Sequence, residues 1–165
     1  MAKAKVKPTV KQTVRPPAEP LPAGTASAGW VIDASVTMPW FFPDEATPFT
    51  EGLLDTLGNQ ALWAPALWVL ECTNVLQSAQ RRRRIDARRR AEIAGELGEL
   101  PVQLDSVTPS FVSLDRLAAT HALSGYEAAY LELALRKSLI LVSLDERLVA
   151  AATSLGHPVL SRLPA

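Results

Sequence analysis

Two aspartates close apolar runs in this chain: Asp33 follows Trp30-Val31-Ile32, and Asp145 follows Leu139-Ile140-Leu141-Val142-Ser143-Leu144. An acid directly after a short aliphatic run marks the carboxyl end of a buried strand, where open α/β sheets place their ligands. Glu71 and Glu127 join them, each near the start of a strong helical pattern. Helix N-termini carry partial positive charge and help to hold acids there. Four carboxylates gathered together repel one another, so they either retain protons or take up a hard, oxygen-loving cation such as Mg²⁺ or Mn²⁺. The chemistry that follows is phosphodiester hydrolysis, in which bound metal polarises the phosphoryl oxygen and generates hydroxide from water. No histidine or serine nucleophile is then required. His121 and His157 stand in no pattern with a serine or a cysteine and are expected at the surface or in loops.

Every one of these acids also has a purely structural reading. Asp33 can be a turn or cap residue after a strand, and Ser35 either a helix cap or a hydroxyl that orients Asp33. Asp145 can cap a helix starting at Glu146. Glu71 can sit on the outer face of a helix rich in Leu, Val and Ala. Ser124 and Glu127 form the pattern S-x-x-E, a capping box in which the glutamate bonds back to the cap N–H.

The elements that must position these residues alternate between strand and helix. After the strand at Trp30 comes a proline-bracketed aromatic turn, Met38-Pro39-Trp40-Phe41-Phe42-Pro43, then a helical pattern from about Glu45 to Leu57. Ala61 to Ala64 reads as a second strand, and Pro65 as the start of a helix reaching about Arg82. Asp86 is the expected N-cap of a helix to about Leu97, followed by a short strand from Val102 to Leu104. Helical patterns then cover Ser110 to Ala122 and Ser124 to Lys137, leading into the strand before Asp145. Glu146 to Leu155 is a last helix, stopped by Gly156, and Pro158 to Leu160 a last short strand. This order predicts an α/β fold with a mostly parallel central sheet and helices on both faces. Trp30, Trp63 and Trp68 are expected in the core, and Tyr126 and Tyr130, four apart, on one packed face of their helix.

With 165 residues, 48% of them hydrophobic, the chain suits one domain with a core of its own, expected over residues 29–165. Residues 1–28 place Lys3, Lys5, Lys7, Lys11 and Arg15 among prolines with little to bury, which predicts a flexible basic arm. Such an arm can bind nucleic acid or be inert. The formal charge is zero, with 17 basic and 17 acidic residues, so any attraction to a polyanion must come from local distribution. Cys72 is the sole cysteine, which excludes an internal disulfide and a multi-thiolate metal site. No apolar run approaches the roughly 18 to 20 residues that span a bilayer, and the start lacks the apolar region of a secretory signal. A cytoplasmic protein is expected.

The sequence resembles the PIN-domain ribonucleases, in particular the VapC-type toxins of prokaryotic toxin–antitoxin pairs. The resemblance is carried by Val31-Ile32-Asp33-Ala34-Ser35-Val36 with Trp40-Phe41, by Ala64-Pro65-Ala66-Leu67-Trp68-Val69-Leu70-Glu71-Cys72-Thr73-Asn74-Val75-Leu76, by Leu123-Ser124-Gly125-Tyr126-Glu127-Ala128-Ala129-Tyr130, and by Leu144-Asp145-Glu146-Arg147-Leu148. It spans about residues 30–160 in order. It implies a Rossmann-like PIN domain and a Mg²⁺- or Mn²⁺-dependent endoribonuclease, usually a homodimer, neutralised by a cognate antitoxin. The family's four acids fall on Asp33, Glu71, Glu127 and Asp145, with Ser143 where a hydroxyl commonly supports the site. The third position is usually aspartate in this subgroup. Glu127 is longer by one C–C bond, roughly 1.5 Å, a departure that bears on how a metal would be held.

Arg81, Arg82, Arg83, Arg84, Arg88, Arg89 and Arg90 concentrate positive charge at a predicted helix–turn–helix corner. Their mutual repulsion costs stability unless acids or phosphates neutralise it. One reading is an RNA-backbone contact beside the acidic site, chiefly through Arg81, Arg82, Arg84, Arg88 and Arg89. A solvated corner and a dock for an acidic antitoxin segment are the others. Two functional classes therefore stand: a metal-dependent endoribonuclease, and a catalytically weak PIN-like module that binds RNA or protein. A metal-dependent phosphatase is disfavoured, because Asp33-Ala34-Ser35 lacks the second aspartate of a D-x-D motif.

Overall fold

The computed structural model describes residues 29–161. The expected arm over residues 1–28 and the last four residues of the domain lie outside the described residues. Five strands form one all-parallel sheet: β1 (Trp30–Ile32), β2 (Leu62–Pro65), β3 (Val102–Asp105), β4 (Ile140–Val142) and β5 (Val159–Leu160). Their spatial order is β3-β2-β1-β4-β5. Among the described residues, seven α-helices surround the sheet: α1 (Ala34–Thr37), α2 (Pro48–Thr56), α3 (Leu67–Arg81), α4 (Ala87–Gly98), α5 (Phe111–His121), α6 (Gly125–Lys137) and α7 (Glu146–Ser154). Met38–Trp40 adds a 3₁₀ turn after α1.

Alternation along the central strands divides the core in two. Val31 and Leu141, with Trp63 beside them in register on β2, face a cluster built with Trp68, Cys72 and Leu76 of α3, Ile93 of α4, Tyr130 and Leu131 of α6, and Leu148 of α7. Trp30, Ile32, Leu62, Ile140 and Val142 face the other way, onto Val36 of α1 and Phe49 and Leu53 of α2. Both faces are covered, as a parallel sheet requires, and β1 and β4 are apolar at every position because both of their faces are buried. Trp30 and Trp68 are in the core; Trp63 is half-buried, with the Lys137 ammonium 3.8 Å from its ring centroid. Gly29 feeds β1 at φ +155°, where a Cβ would lie 2.4 Å from the Ala61 carbonyl oxygen, so only glycine fits.

Local caps set the helix starts. Asp86, Ser110, Ser124 and Asp145 each accept a backbone N–H from the first turn of the helix that follows. Several expected boundaries move. The second helix begins at Pro48 rather than Glu45, because Thr47 and Thr50 form a capping box there. Pro65 ends β2 instead of opening α3, its carbonyl side still available to the ladder with β3. The strand expected to run to Asp145 stops at Val142. Among the described residues, no helix is long and apolar enough to cross a membrane.

Candidate functional site

In the sheet, β1 and β4 are neighbours with Ile32 opposite Val142. The next residue of each strand therefore stands beside the other, and the Ser143 hydroxyl donates to Asp33 Oδ2. The other oxygen, Oδ1, accepts the Ser35 N–H at 2.7 Å, the Ser35 hydroxyl at 2.5 Å and the Val36 N–H at 3.3 Å, which caps α1. Both serines tie Asp33 to the loop after β4: Leu144 N–H donates to Ser35 Oγ at 2.8 Å and Asp145 N–H to Ser143 Oγ at 2.9 Å. Asp33 is 6% exposed, and that burial pushes its carboxyl above the ordinary range despite four donors that pull it down.

Glu71 lies in the second turn of α3, near the helix start as expected. One turn before it, the indole N–H of Trp68 donates to the buried Thr37 hydroxyl at 3.3 Å, which locks α3 to α1 and turns Glu71 toward Asp33. The Tyr130 phenol of α6 donates to Glu71 Oε2. Half-burial raises the Glu71 pKa, the tyrosine opposes that, and the nearby charges of Asp33 and Glu127 raise it again. Tyr130 is 2% exposed, and its own ionisation is pushed far up by burial and by Glu71, so it acts only as a neutral donor. The neighbouring Cys72 thiol is pushed up to about 12, chiefly by burial, and is no nucleophile.

Glu127 and Asp145 complete the lining. Glu127 Oε2 accepts the Ser124 N–H at 2.7 Å while Ser124 Oγ accepts the Glu127 N–H, the capping box that the sequence suggests. Asp145 Oδ1 accepts the Leu148 N–H at 2.9 Å as cap of α7. Asp33, Ser35, Glu71, Glu127 and Asp145 share one open cleft of about 330 Å³, with Ser124, Tyr126, Tyr130, Ala34 and Leu148 as the rest of its wall. Among the described residues, four acids and no basic side chain line it.

The donor set is of the kind that suits Mg²⁺ or Mn²⁺: hard carboxylate oxygens that destabilise one another's charge, with no counter-cation in the wall among the described residues. Among the described residues, no three acid, histidine or cysteine side chains converge as a ready-made metal-ligand set. The reason is visible in the bonding, since each acid is drawn to its own protein donor. Mg²⁺ commonly keeps several waters and takes only one or two carboxylates directly, so a hydrated ion matches this open wall better than a closed protein cage.

Two expectations need correction. The tyrosines do not pack alike: Tyr130 is buried on Glu71, whereas Tyr126 is 66% exposed at the cleft wall. The hydroxyl contact to Glu71 joins residues 59 apart in sequence, and no local pattern pointed to it. The arginines do not stand beside the acids. Arg81 lies ten residues beyond Glu71 on one helix, about 15 Å along its axis, and none of the seven lines the cleft. Arg84 pairs with Asp44 and Glu45 and covers the Phe42 ring, Arg88 pairs with Glu92, and Arg89 with Glu92 and Glu96. His121 shares a 3.3 Å contact with Ser154, His157 one of 2.8 Å with the Leu139 carbonyl, and neither reaches the cleft.

No protein-family model matches the chain, and no curated protein does. Among solved structures, the fold is similar to PAE2754 from Pyrobaculum aerophilum, with a TM-score of 0.59 and 20% sequence identity over 78% of this chain and 87% of that one. At that identity the likeness concerns the fold alone.

Proposed function

We propose that this chain is a divalent-metal-dependent endoribonuclease of the PIN-domain, VapC-like kind. The observation that carries the reading is a cleft at the carboxyl ends of β1 and β4 walled, among the described residues, by four acids without a basic side chain. Asp33, Glu71 and Asp145 would hold Mg²⁺ or Mn²⁺, with Glu127 as an auxiliary ligand or as the group that positions the attacking water. When bound, the ion supplies charge to the phosphoryl oxygens and lowers the pKa of a water. The chain's own part is to fix oxygens. Ser35 and Ser143 hold both oxygens of Asp33, and Tyr130 occupies one oxygen of Glu71, which lines the cleft. The Leu148 N–H anchors Asp145. Along with this reading go a homodimer, a cognate antitoxin and a cytoplasmic location, each a proposal resting on the sequence resemblance.

One observation favours a second reading, a catalytically weak module that binds RNA or protein. Glu127 is folded back onto the Ser124 N–H, so its carboxylate already serves the helix cap. A single experiment separates the two: a mixed RNA pool incubated with the protein in Mn²⁺, in Mg²⁺ and in EDTA, with Asp33→Asn in parallel. The nuclease cuts in metal and is silenced by the substitution, while its circular dichroism is unchanged. Equal cutting by Asp33→Asn would refute the site, and binding without cutting in either metal would establish the second reading.

A further inference from the structure

We infer that Arg81, Arg82 and Arg83 form a phosphate-binding corner that holds the RNA backbone away from the cleft, at the far end of α3. The inference rests on the ribonuclease reading and names where that substrate is held. Of the seven arginines in this stretch, Arg84, Arg88 and Arg89 are neutralised by acids of the chain itself. Arg90 is half-buried against the fold, its Nε enclosed without a partner. Arg81, Arg82 and Arg83 are exposed and, among the described residues, pair with no acid. Arg83 adopts φ 58°, which turns the chain sharply at the helix end and brings three consecutive cations to one corner.

The helix itself does not account for them. Its C-terminal partial charge favours a cation in the last turn, which serves Arg81, but the effect fades beyond that turn and leaves Arg83 without a reason. Repulsion among three adjacent charges has a cost that a polyanion removes. Along α3 itself, the stretch from the cleft to the corner carries no opposing charge. Asn74, Ser78 and Arg81 follow Glu71 at +3, +7 and +10, one flank of α3, and no acid occurs between Glu71 and Asp86. A strand of RNA with one phosphate at the acids and others about 15 Å away along this flank meets neutral hydrogen-bonding groups, then three cations. Contacts of this type give affinity without base specificity, and guanidinium–phosphate pairing suits them.

The test is binding of a single-stranded RNA to the full chain in EDTA, followed by fluorescence anisotropy from 50 to 200 mM salt. The parent is compared with Arg81→Gln/Arg82→Gln/Arg83→Gln, with the matching triple Lys variant, and with Arg88→Gln as a paired-arginine control. Each phosphate contact contributes about 0.7 to the log–log salt slope for single strands, so loss of three flattens it by about 2. Over that fourfold salt range the parent should lose about 16-fold more affinity than the Gln variant. The Lys variant should regain the slope, and Arg88→Gln should match the parent. A Gln variant with the parent's slope and dissociation constant overturns the inference, as does a parent that shows no salt-dependent RNA binding. Unchanged RNA binding with lost binding of polyglutamate would assign the corner to an acidic protein segment instead. Cleavage of the same RNA by the parent in Mn²⁺ reads the nuclease proposal separately, since the slope is measured without metal.

Discussion

Replacing Tyr130 by phenylalanine removes one hydroxyl from a ring that is 2% exposed and otherwise keeps the packing of α6 against the sheet. The hydroxyl donates to Glu71, and hydrogen bonds to charged groups contribute about 1.5–3 kcal/mol. Glu71 is only half-buried, so water partly replaces the lost donor and the lower end applies, about 1.5 kcal/mol. For a domain of this size that is roughly a 4–6 °C fall in Tm. The effect should depend on pH with a definite sign. The phenol stabilises ionised Glu71 and lowers its pKa, so the penalty is full where Glu71 is charged and shrinks as pH falls through its titration. Urea unfolding of the metal-free protein at pH 8 and at pH 4, repeated in a Glu71→Gln background, measures both features. The penalty should shrink in acid and also in the Gln background. Equal losses in all four conditions would mean that the hydroxyl serves packing alone, and the account of a neutral tyrosine fixing one glutamate oxygen would be wrong.

Three further outcomes are expected. Asp33 and Glu71 both titrate above their ordinary values of 3.8 and 4.5, so each favours the fold when protonated; metal-free stability should rise as pH falls from neutral toward those values, and saturating Mn²⁺ at neutral pH should raise Tm instead. Thermal melts across pH 4.5–8 with and without metal would show it, and a metal-free stability that falls throughout that range would contradict the burial argument. Glu127→Asp shortens the arm that reaches the Ser124 N–H, weakening the capping box by about 0.5–1 kcal/mol, while Mn²⁺-dependent cleavage should increase; melts and RNA cleavage on the same preparation test the pair of effects. Gly29→Ala forces a Cβ against the Ala61 carbonyl at a backbone angle that side chains resist, and should cost about 2–3 kcal/mol in denaturant unfolding without altering metal affinity per folded molecule.

Much of the architecture was legible in the chain because its signals are local. Asp86, Ser110, Ser124 and Asp145 act on N–H groups within three residues, so helix starts could be read from spacing alone. The apolar runs before Asp33 and in β4, interleaved with helical patterns, likewise determined a parallel sheet covered on both faces. Boundaries failed where a competing local bond prevailed, as at Thr47, or where pairing ended early, as at Val142. The composition of the site was decided elsewhere. Ser143 meets Asp33 across 110 residues because β1 and β4 happen to be neighbours in register, which no spacing within either strand specifies. Tyr130 reaches Glu71 only because α3 and α6 pack on the same face of the sheet. The arginines show the same division: the sequence supplied seven cations in one stretch, but Asp44 and Glu45 on Arg84, and Glu92 and Glu96 along α4, left Arg81, Arg82 and Arg83 exposed and, among the described residues, without an acid. Capping and periodicity operate over a few residues and can be read one by one; which distant side chains share a cleft depends on strand order and helix packing, and those arise from the burial of the whole chain at once.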